Sequence, residues 1–134
     1  MSKKYIICFD LDNTICTTKK NFYKISKPKK KVVNIINDLY SKGFGIKIFT
    51  SRFMGRNNEN IRLSKKQGLD LTQKQLKKWK INYHTLILGK PSYDLLIDDK
   101  ALGFKDSWFN SFNINKHIFN KKKKNYDKKN FWNI

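Results

Sequence analysis

The order of apolar and polar residues along the chain predicts an alternation of strands and helices. Four apolar runs have the length of buried strands, at residues 5–9, 45–49, 85–88 and 93–97. Residues 28–42 carry apolar side chains at helical spacing, with Pro28 in the first turn and Gly43 directly after the last residue. Strands that alternate with helices indicate an α/β fold with a parallel sheet.

The segment between the second and third apolar runs is predicted to form two short helices. Residues 57–67 are polar and are followed by Gly68, which is typical of a helix end. Thr72 and Gln75 then match a capping box, in which two polar side chains three residues apart satisfy N–H groups at a helix start. We expect this second helix to end near Lys80.

Polar residues follow each of the four predicted strands at the point where the strand ends. The clusters are DLDNT at 10–14, TSR at 50–52, GKP at 89–91 and DDK at 98–100. In open parallel sheets, ligands bind beyond the carboxyl ends of the strands. We therefore expect these four clusters, which are scattered in sequence, to converge on one site.

The aspartates in these clusters are candidate metal ligands. Asp10 and Asp12 are separated by one residue, so their negative charges repel each other, and a divalent cation would relieve that repulsion. Asp98 and Asp99 would supply further oxygen ligands. An all-oxygen site suits Mg²⁺ rather than Zn²⁺, and Mg²⁺ commonly shares its ligands with a substrate phosphate. We therefore predict a magnesium site at Asp10, Asp12, Asp98 and Asp99.

A phosphate beside these carboxylates would give other polar residues a role. Lys90 would act as a point charge toward phosphoryl oxygens, and the Thr50 hydroxyl would donate to one of them. Arg52 is a candidate for substrate contact because it follows Thr50 in a chain with few arginines. The alternative is that Arg52 lies in a solvated loop and has no contact with substrate. A carboxylate can attack phosphorus, and a neighbouring acid can protonate the leaving oxygen and then activate water.

The four motifs, in this order, resemble those of the haloacid dehalogenase superfamily of phosphatases. That pattern is a strand followed by DxDx[TV], a strand followed by Thr or Ser, a Lys, and a strand followed by an acidic pair. It is matched here by 10–14, Thr50, Lys90 and 98–99. The resemblance implies a Rossmann-like three-layer α/β sandwich with a central parallel sheet. The intervals between the motifs have room for a flap and short helices, so no cap domain is expected.

The resemblance also implies catalytic roles for four residues. Asp10 would be the nucleophile and a metal ligand. Asp12 would be the general acid/base and would bind the metal through its backbone carbonyl. Thr50 and Lys90 would hold the phosphoryl group.

The resemblance also bears on Asp98, Asp99 and Asn13. Asp98 would be a metal ligand, and Asp99 would act through a water molecule or as an orienting group. Members of the superfamily often have Gly where Asn13 stands in this chain. Asn tolerates the tight backbone expected there, so this departure is mild.

Two longer segments narrow the resemblance. IFTSRFMGRN and YHTLILGKPSYDLLIDDKA are similar to phosphatase-like proteins of bacterial capsule and lipopolysaccharide gene clusters. This similarity implies a small phosphorylated substrate, such as a sugar phosphate used in capsule or other surface-glycan biosynthesis. The implied reaction is hydrolysis of a phosphomonoester through a phospho-aspartate; a phosphotransferase would differ only in what attacks that intermediate.

The net charge of the chain raises two alternatives. The 134 residues carry a formal charge of +20, which suggests an anionic partner such as nucleic acid. Nucleic-acid surfaces favour arginine, whereas only Arg52, Arg56 and Arg62 are present, and richness in Lys, Asn and Ile also fits a bias toward A/T codons. A polynucleotide-end phosphatase using the same residues and a non-catalytic basic scaffold are therefore the alternatives to a small-molecule phosphatase.

One domain is expected over residues 1–134, with a core over about 5–112 and a basic C-terminal segment over 113–134. The aromatic residues of that segment are expected to pack partly on the body. No apolar run approaches the roughly 18 residues of a membrane span, and the first run is too short for a signal peptide. Cys8 and Cys16 fit small buried thiols in a reducing compartment. We expect a cytoplasmic protein, and the sequence leaves its oligomeric state open.

Overall fold

The computed structural model of the protein describes residues 4–118. The chain divides into two compact units, Met1–Leu102 and Gly103–Ile134. Most of the predicted basic C-terminal segment, including the aromatic residues expected to pack on the body, lies outside the described residues.

Strands and helices alternate in the first unit. In chain order its elements are β1 (Ile6–Phe9), β2 (Cys16–Thr17), β3 (Lys27–Pro28), α1 (Lys30–Ser41), β4 (Gly45–Thr50), α2 (Ile61–Lys78) and β5 (Thr85–Leu88). Short 3-10 helices cover Tyr23–Ile25 and Gly55–Asn57.

A three-stranded parallel sheet organises this unit. Its strand order is β1-β4-β5, and β2 pairs with β3 in a separate antiparallel flap. α1 packs against β4 and α2 packs against β5, so helices flank the sheet as in a Rossmann-like sandwich. The predicted α/β fold class is confirmed, and the described residues contain no cap domain.

The core between α1 and the sheet follows the apolar pattern of both elements. Val32 and Ile36 on α1, and Ile46 and Ile48 on β4, are fully buried. Gly43 ends the helix region with a φ of 90°, a conformation that glycine adopts without strain. The helix starts at Lys30 and not at 28, because Pro28 pairs with Cys16 in the flap.

The two helices predicted between the second and third strands are one helix, α2. The prediction of a break at Gly68 was wrong because this glycine lies inside the helix, where it is needed for close packing. A Cβ atom at Gly68 would lie 2.5 Å from the Phe53 ring and 3.2 Å from Leu88. Thr72 and Gln75, read as a capping box, are buried residues one turn further along the same helix.

The strand predicted over residues 93–97 is not formed, and this prediction was wrong. Its side chains face solvent, with Leu95 77% and Ile97 89% exposed. Just before it, the backbone N–H and the hydroxyl of Ser92 both donate to Glu59, which lies two residues before α2. An apolar run forms a strand only where its backbone meets a sheet edge, and this one does not.

The second unit is described through residue 118. A 3-10 helix covers Trp108–Asn110, and residues 114–118 are helical. The Trp108 ring lies edge-on to Phe112, with their centroids 5.7 Å apart, and Phe112 stacks on His117. Across residues 4–118, no helix combines the length and hydropathy that a membrane crossing requires.

Candidate functional site

The carboxyl ends of the three parallel strands bring three of the predicted site residues together. The strand register aligns Phe9 with Ile48 and Thr50 with Leu88. Asp10 follows β1, Thr50 ends β4, and Lys90 comes two residues after β5. The Lys90 ammonium lies 3.2 Å from Asp10 Oδ1. The backbone N–H of Lys90 donates to the backbone carbonyl of Thr50 at 3.2 Å. The predicted convergence of these three residues is therefore present in the fold.

Asp10 is positioned by the loop that follows β1. The carbonyl of Leu11 accepts from the N–H groups of Thr14, Ile15 and Cys16, which curls the chain over the strand end. The Thr14 hydroxyl then donates to Asp10 Oδ2 at 3.1 Å. The Asp10 side chain remains 36% exposed, so this carboxylate faces a region that a solute can enter.

Lys90 lies in a largely enclosed position beside Asp10. Its ammonium is 5.2 Å from the centre of the Tyr93 ring and 6.0 Å from that of Phe49. Burial is the largest single influence and disfavours the charged form. Hydrogen bonding to Tyr93 and the negative charge of Asp10 oppose it, and the net result is a pKa of Lys90 above its ordinary value. Lys90 is therefore a fixed cation at neutral pH.

Asp12 is paired with a different cation, Arg52. The Arg52 Nε–H donates to both carboxylate oxygens of Asp12, at 3.2 Å to Oδ1 and 3.0 Å to Oδ2, and Nη2 lies 2.9 Å from Oδ1. The Arg52 side chain is fully buried, whereas that of Asp12 is 20% exposed. Nothing in the sequence indicates this pair, because the two residues are 40 positions apart and lie in loops that follow different strands.

Arg52 is held by residues from α2 and the flap region. Its Nη1 donates to Thr72 Oγ1 at 3.3 Å and to Gln75 Oε1, and its Nη2 donates to Ser26 Oγ at 3.5 Å. The guanidinium carbon also lies 5.0 Å from the centre of the Tyr23 ring, within range of a cation–π interaction. Buried guanidinium groups persist where their donors are satisfied in this way.

The flap contributes further donors to Asp12. Thr18 Oγ1 donates to Asp12 Oδ1 at 2.5 Å and is 2.7 Å from Ser26 Oγ. Burial raises the pKa of the Cys16 thiol, so this group stays neutral and donates weakly to Asp12 Oδ1 at 3.6 Å. Asn13 has a φ of 62°, as expected for the residue that stands where glycine is common, and its side chain accepts from the Thr18 N–H.

Three predicted site residues do not have the environment that was expected. The prediction that Arg52 contacts substrate does not fit its position, because its side chain has no exposed surface and its donors are directed to protein groups. Asp98 and Asp99 are exposed, and Asp98 Oδ1 accepts from the Lys100 N–H at 2.8 Å. They are not brought to Asp10 because the strand that was to carry them is not formed.

The described residues do not bring together the ligands of the predicted magnesium site. Among residues 4–118, no group of three or more Asp, Glu, His or Cys is arranged to hold a metal ion. Asp98 and Asp99 are exposed, and Asp98 Oδ1 accepts from the Lys100 N–H. No three of the four predicted aspartates therefore form such a group.

Sequence reasoning missed the residues that position the two carboxylates. Thr72 and Gln75 carried a readable signal, since polar residues three apart in the phase of a buried helix face indicate an internal polar partner. Glu59, which holds Ser92 and with it the loop after Lys90, is the chain's single glutamate. Nothing in its local sequence links it to a residue 33 positions away.

Comparison with known proteins supports the fold. A scan against protein-family profiles finds no match for this chain, and a search of curated proteins finds none either. A crystal structure of a structural-genomics target protein from Vibrio cholerae is similar, with a TM-score of 0.76 and 26% sequence identity. The similarity covers 88% of this chain and 98% of the Vibrio protein. The chain therefore has an α/β fold of the Rossmann-like class.

Proposed function

We propose that the protein is a phosphatase of the haloacid dehalogenase type that transfers a phosphoryl group through Asp10. The observation that carries this proposal is the Asp10–Lys90 pair, 3.2 Å apart at the carboxyl edge of a parallel sheet. The partly exposed carboxylate can approach a bound phosphate, and Lys90 supplies a fixed positive charge beside it.

In the first step, a carboxylate oxygen of Asp10 attacks phosphorus. A bond forms between that oxygen and phosphorus while the bond from phosphorus to the leaving alcohol breaks. The leaving oxygen takes a proton from the protonated form of Asp12, the acid that the resemblance implies. Lys90 offsets negative charge on the transferring group.

In the second step, water attacks the aspartyl phosphate. The attacking water gives a proton to the Asp12 carboxylate, its oxygen bonds to phosphorus, and the bond to Asp10 breaks. Inorganic phosphate and the Asp10 carboxylate are the products of this step, and Asp12 is protonated again. The two steps together hydrolyse one phosphomonoester and leave the protein unchanged.

The proposed substrate is a small phosphomonoester, such as a sugar phosphate or a similar precursor of capsule or other surface glycan, in the cytoplasm. Its support is the resemblance of the TSR and GKP segments together with a site bordered by a two-stranded flap. A magnesium requirement stays a prediction of the resemblance, since the described aspartates do not form its site. When bound, the ion would supply positive charge at the phosphoryl oxygens.

The test is phosphate release from a panel of sugar phosphates, amino-alcohol phosphates, nucleotides and phosphorylated oligonucleotides, with Mg²⁺ and with chelator. We expect turnover of small esters, and a fall of at least about a thousandfold in Asp10→Asn, because the amide cannot act as nucleophile. Asp38→Asn is the matched control. Asp38 lies on α1 and pairs with Lys42 on the exposed face of that helix.

The panel also separates the alternatives. A preference for phosphorylated oligonucleotides, with affinity that falls steeply as salt rises, would favour the polynucleotide-end phosphatase. Folded protein that releases no phosphate from any ester, with or without Mg²⁺, would contradict the catalytic proposal and leave the basic scaffold.

A further inference from the structure

We infer that Arg52 is a positioning residue that holds the Asp12 carboxylate in place for proton transfer and does not itself bind substrate. The inference rests on the proposed function, in which Asp12 gives and takes the proton. It assigns Arg52 a role different from the substrate contact that its sequence position suggested.

The first support is the geometry of the pair. Arg52 Nε contacts both oxygens of Asp12 and Nη2 contacts Oδ1, so the planar guanidinium fixes the plane of the carboxylate as well as its distance. Thr18 adds a hydroxyl donor to Oδ1. A carboxylate held by donors in different directions cannot rotate without breaking several hydrogen bonds.

The second support is the way in which Arg52 itself is held. Thr72 and Gln75 of α2 and Ser26 of the flap region accept from its terminal nitrogens. These acceptors come from parts of the chain on both sides of β4 in sequence. The position of Asp12 is thereby tied to α2 and to the flap, although neither element contributes a predicted catalytic residue.

The third support is burial. With no exposed surface on its side chain, Arg52 cannot touch a solute in the site, whereas Asp12 keeps 20% of its side chain exposed. The guanidinium is buried, whereas the carboxylate keeps an accessible part that can meet a reacting ester.

The test uses Arg52→Lys, with Arg62→Lys as the matched control on the exposed surface of α2. Lysine keeps the charge but replaces the fork with a single contact point. Two substrates are compared: an alkyl ester such as glycerol phosphate, which needs a proton on its leaving oxygen, and p-nitrophenyl phosphate, which does not. Asp12→Asn defines the loss expected when the acid is removed.

We expect Arg52→Lys to lower kcat/KM on the alkyl ester at least about tenfold more than on the aryl ester, because kcat/KM reports only the steps through release of the leaving alcohol. Arg62→Lys should leave both substrates unaffected. A rise in KM on both substrates with kcat unchanged would mean that Arg52 binds substrate, and an equal fall of kcat/KM on both with KM unchanged would mean a structural role alone. Either result would overturn the inference.

A second variant covers the case in which Arg52→Lys does not fold. Gln75→Ala removes one acceptor from Arg52 without changing charge, and Gln73→Ala is its exposed control on the same helix. We expect the same preference for loss on the alkyl ester, smaller in size, in Gln75→Ala. Equal effects of Gln75→Ala on the two esters would contradict the inference.

A measurement without substrate separates this inference from the proposed function. The buried Arg52 Nε–H should give a slowly exchanging NMR signal that shifts or exchanges rapidly in Asp12→Asn and is unchanged in Asp38→Asn. If the chain releases no phosphate but shows this behaviour, the pair exists and the proposed function fails. If the signal does not respond to Asp12→Asn, the inference fails whatever the activity.

Discussion

The two aspartates of the DLDNT motif, two residues apart, have opposite environments. Asp10 pairs with Lys90 through one contact of 3.2 Å and is 36% exposed. Asp12 accepts three hydrogen bonds from the fully buried Arg52 and another from Thr18. One pair is a single contact between a partly exposed carboxylate and a lysine ammonium, and the other is the centre of a buried network.

This difference separates two requirements of the proposed reaction. A nucleophile must be able to exchange a protein partner for a substrate, which a single contact with lysine permits. A proton donor must keep its orientation while the substrate changes around it, which a planar guanidinium with several partners provides. The pairing of each carboxylate with its own cation therefore matches the two roles proposed for them.

The largest expected difference between the pairs is in folding stability. Arg52→Met leaves the Asp12 carboxylate without its main partner in a mostly buried position, which should cost about 3 kcal/mol of unfolding free energy. Lys90→Met removes a partly exposed pair and should cost about 1 kcal/mol or less. Urea unfolding of both variants measures the contrast, and equal losses would contradict the distinction between the two pairs.

Gly68→Ala tests the helix that supports the Asp12 network. The added Cβ would lie 2.5 Å from the ring of Phe53, the residue after Arg52, so α2 or Phe53 must shift. We expect a loss of about 1–3 kcal/mol in unfolding free energy. Gly55→Ala is the control because a Cβ there meets nothing within 4 Å. Thermal or urea unfolding that ranks the two variants equally would show that this packing is not tight.

Ser92→Ala tests the loop that carries Lys90, the partner of Asp10. It removes a hydroxyl donor to Glu59 at 2.6 Å and loosens the loop that carries Lys90. Both residues are exposed, so we expect a loss of only about 0.5 kcal/mol in stability, with a decrease in kcat because Lys90 is held less firmly. Ser41→Ala removes a similar exposed hydroxyl bond on α1 and should leave kcat unchanged. A change of kcat in both variants would point to a general loss of folded protein.

The smallest expected effect is a change in the free energy of unfolding in alkaline solution. The pKa of Lys90 is raised, so above the ordinary lysine value of 10.5 the folded protein binds more protons than the unfolded chain. Its contribution to stability is therefore complete below that pH and is lost as pH rises through the raised pKa. Unfolding free energies of wild type and Lys90→Met, compared between about pH 9 and 11.5, should converge. A constant difference across this range would contradict the assigned shift.

Several elements were predictable because they depend on local pattern. The apolar runs at β1, β4 and β5 and the amphipathic α1 could be predicted from their own residues. The expected burial holds for β4, whereas Ile6 of β1 and Ile87 of β5 are exposed, and Cys8 is not the buried thiol that was expected. The meeting of Asp10, Thr50 and Lys90 followed from strand topology, since parallel strands end at one edge. The left-handed backbone at Asn13 followed from the motif itself.

Other features depended on contacts that no local pattern contains. Gly68 looks like a helix end in sequence, but the close approach of Phe53 places it inside α2. Residues 93–97 have the apolar pattern of a strand, yet they form none and their side chains are exposed. Strand propensity does not decide which sheet edge a segment can reach, because pairing requires a partner at the correct distance.

The amino-acid sequence by itself determined the α/β class, the central parallel strands and the two carboxylates with Lys90 at their carboxyl edge. Tertiary structure alone decided how each carboxylate is held. The Asp12–Arg52 network draws on Thr18, Ser26, Thr72 and Gln75. The polar pair on α2 indicates an internal partner, but no local pattern identifies that partner as Arg52 or links Arg52 to Asp12, 40 positions away. Arg52 was expected to contact substrate but is buried against Asp12, because burial and side-chain geometry are set only in the folded chain.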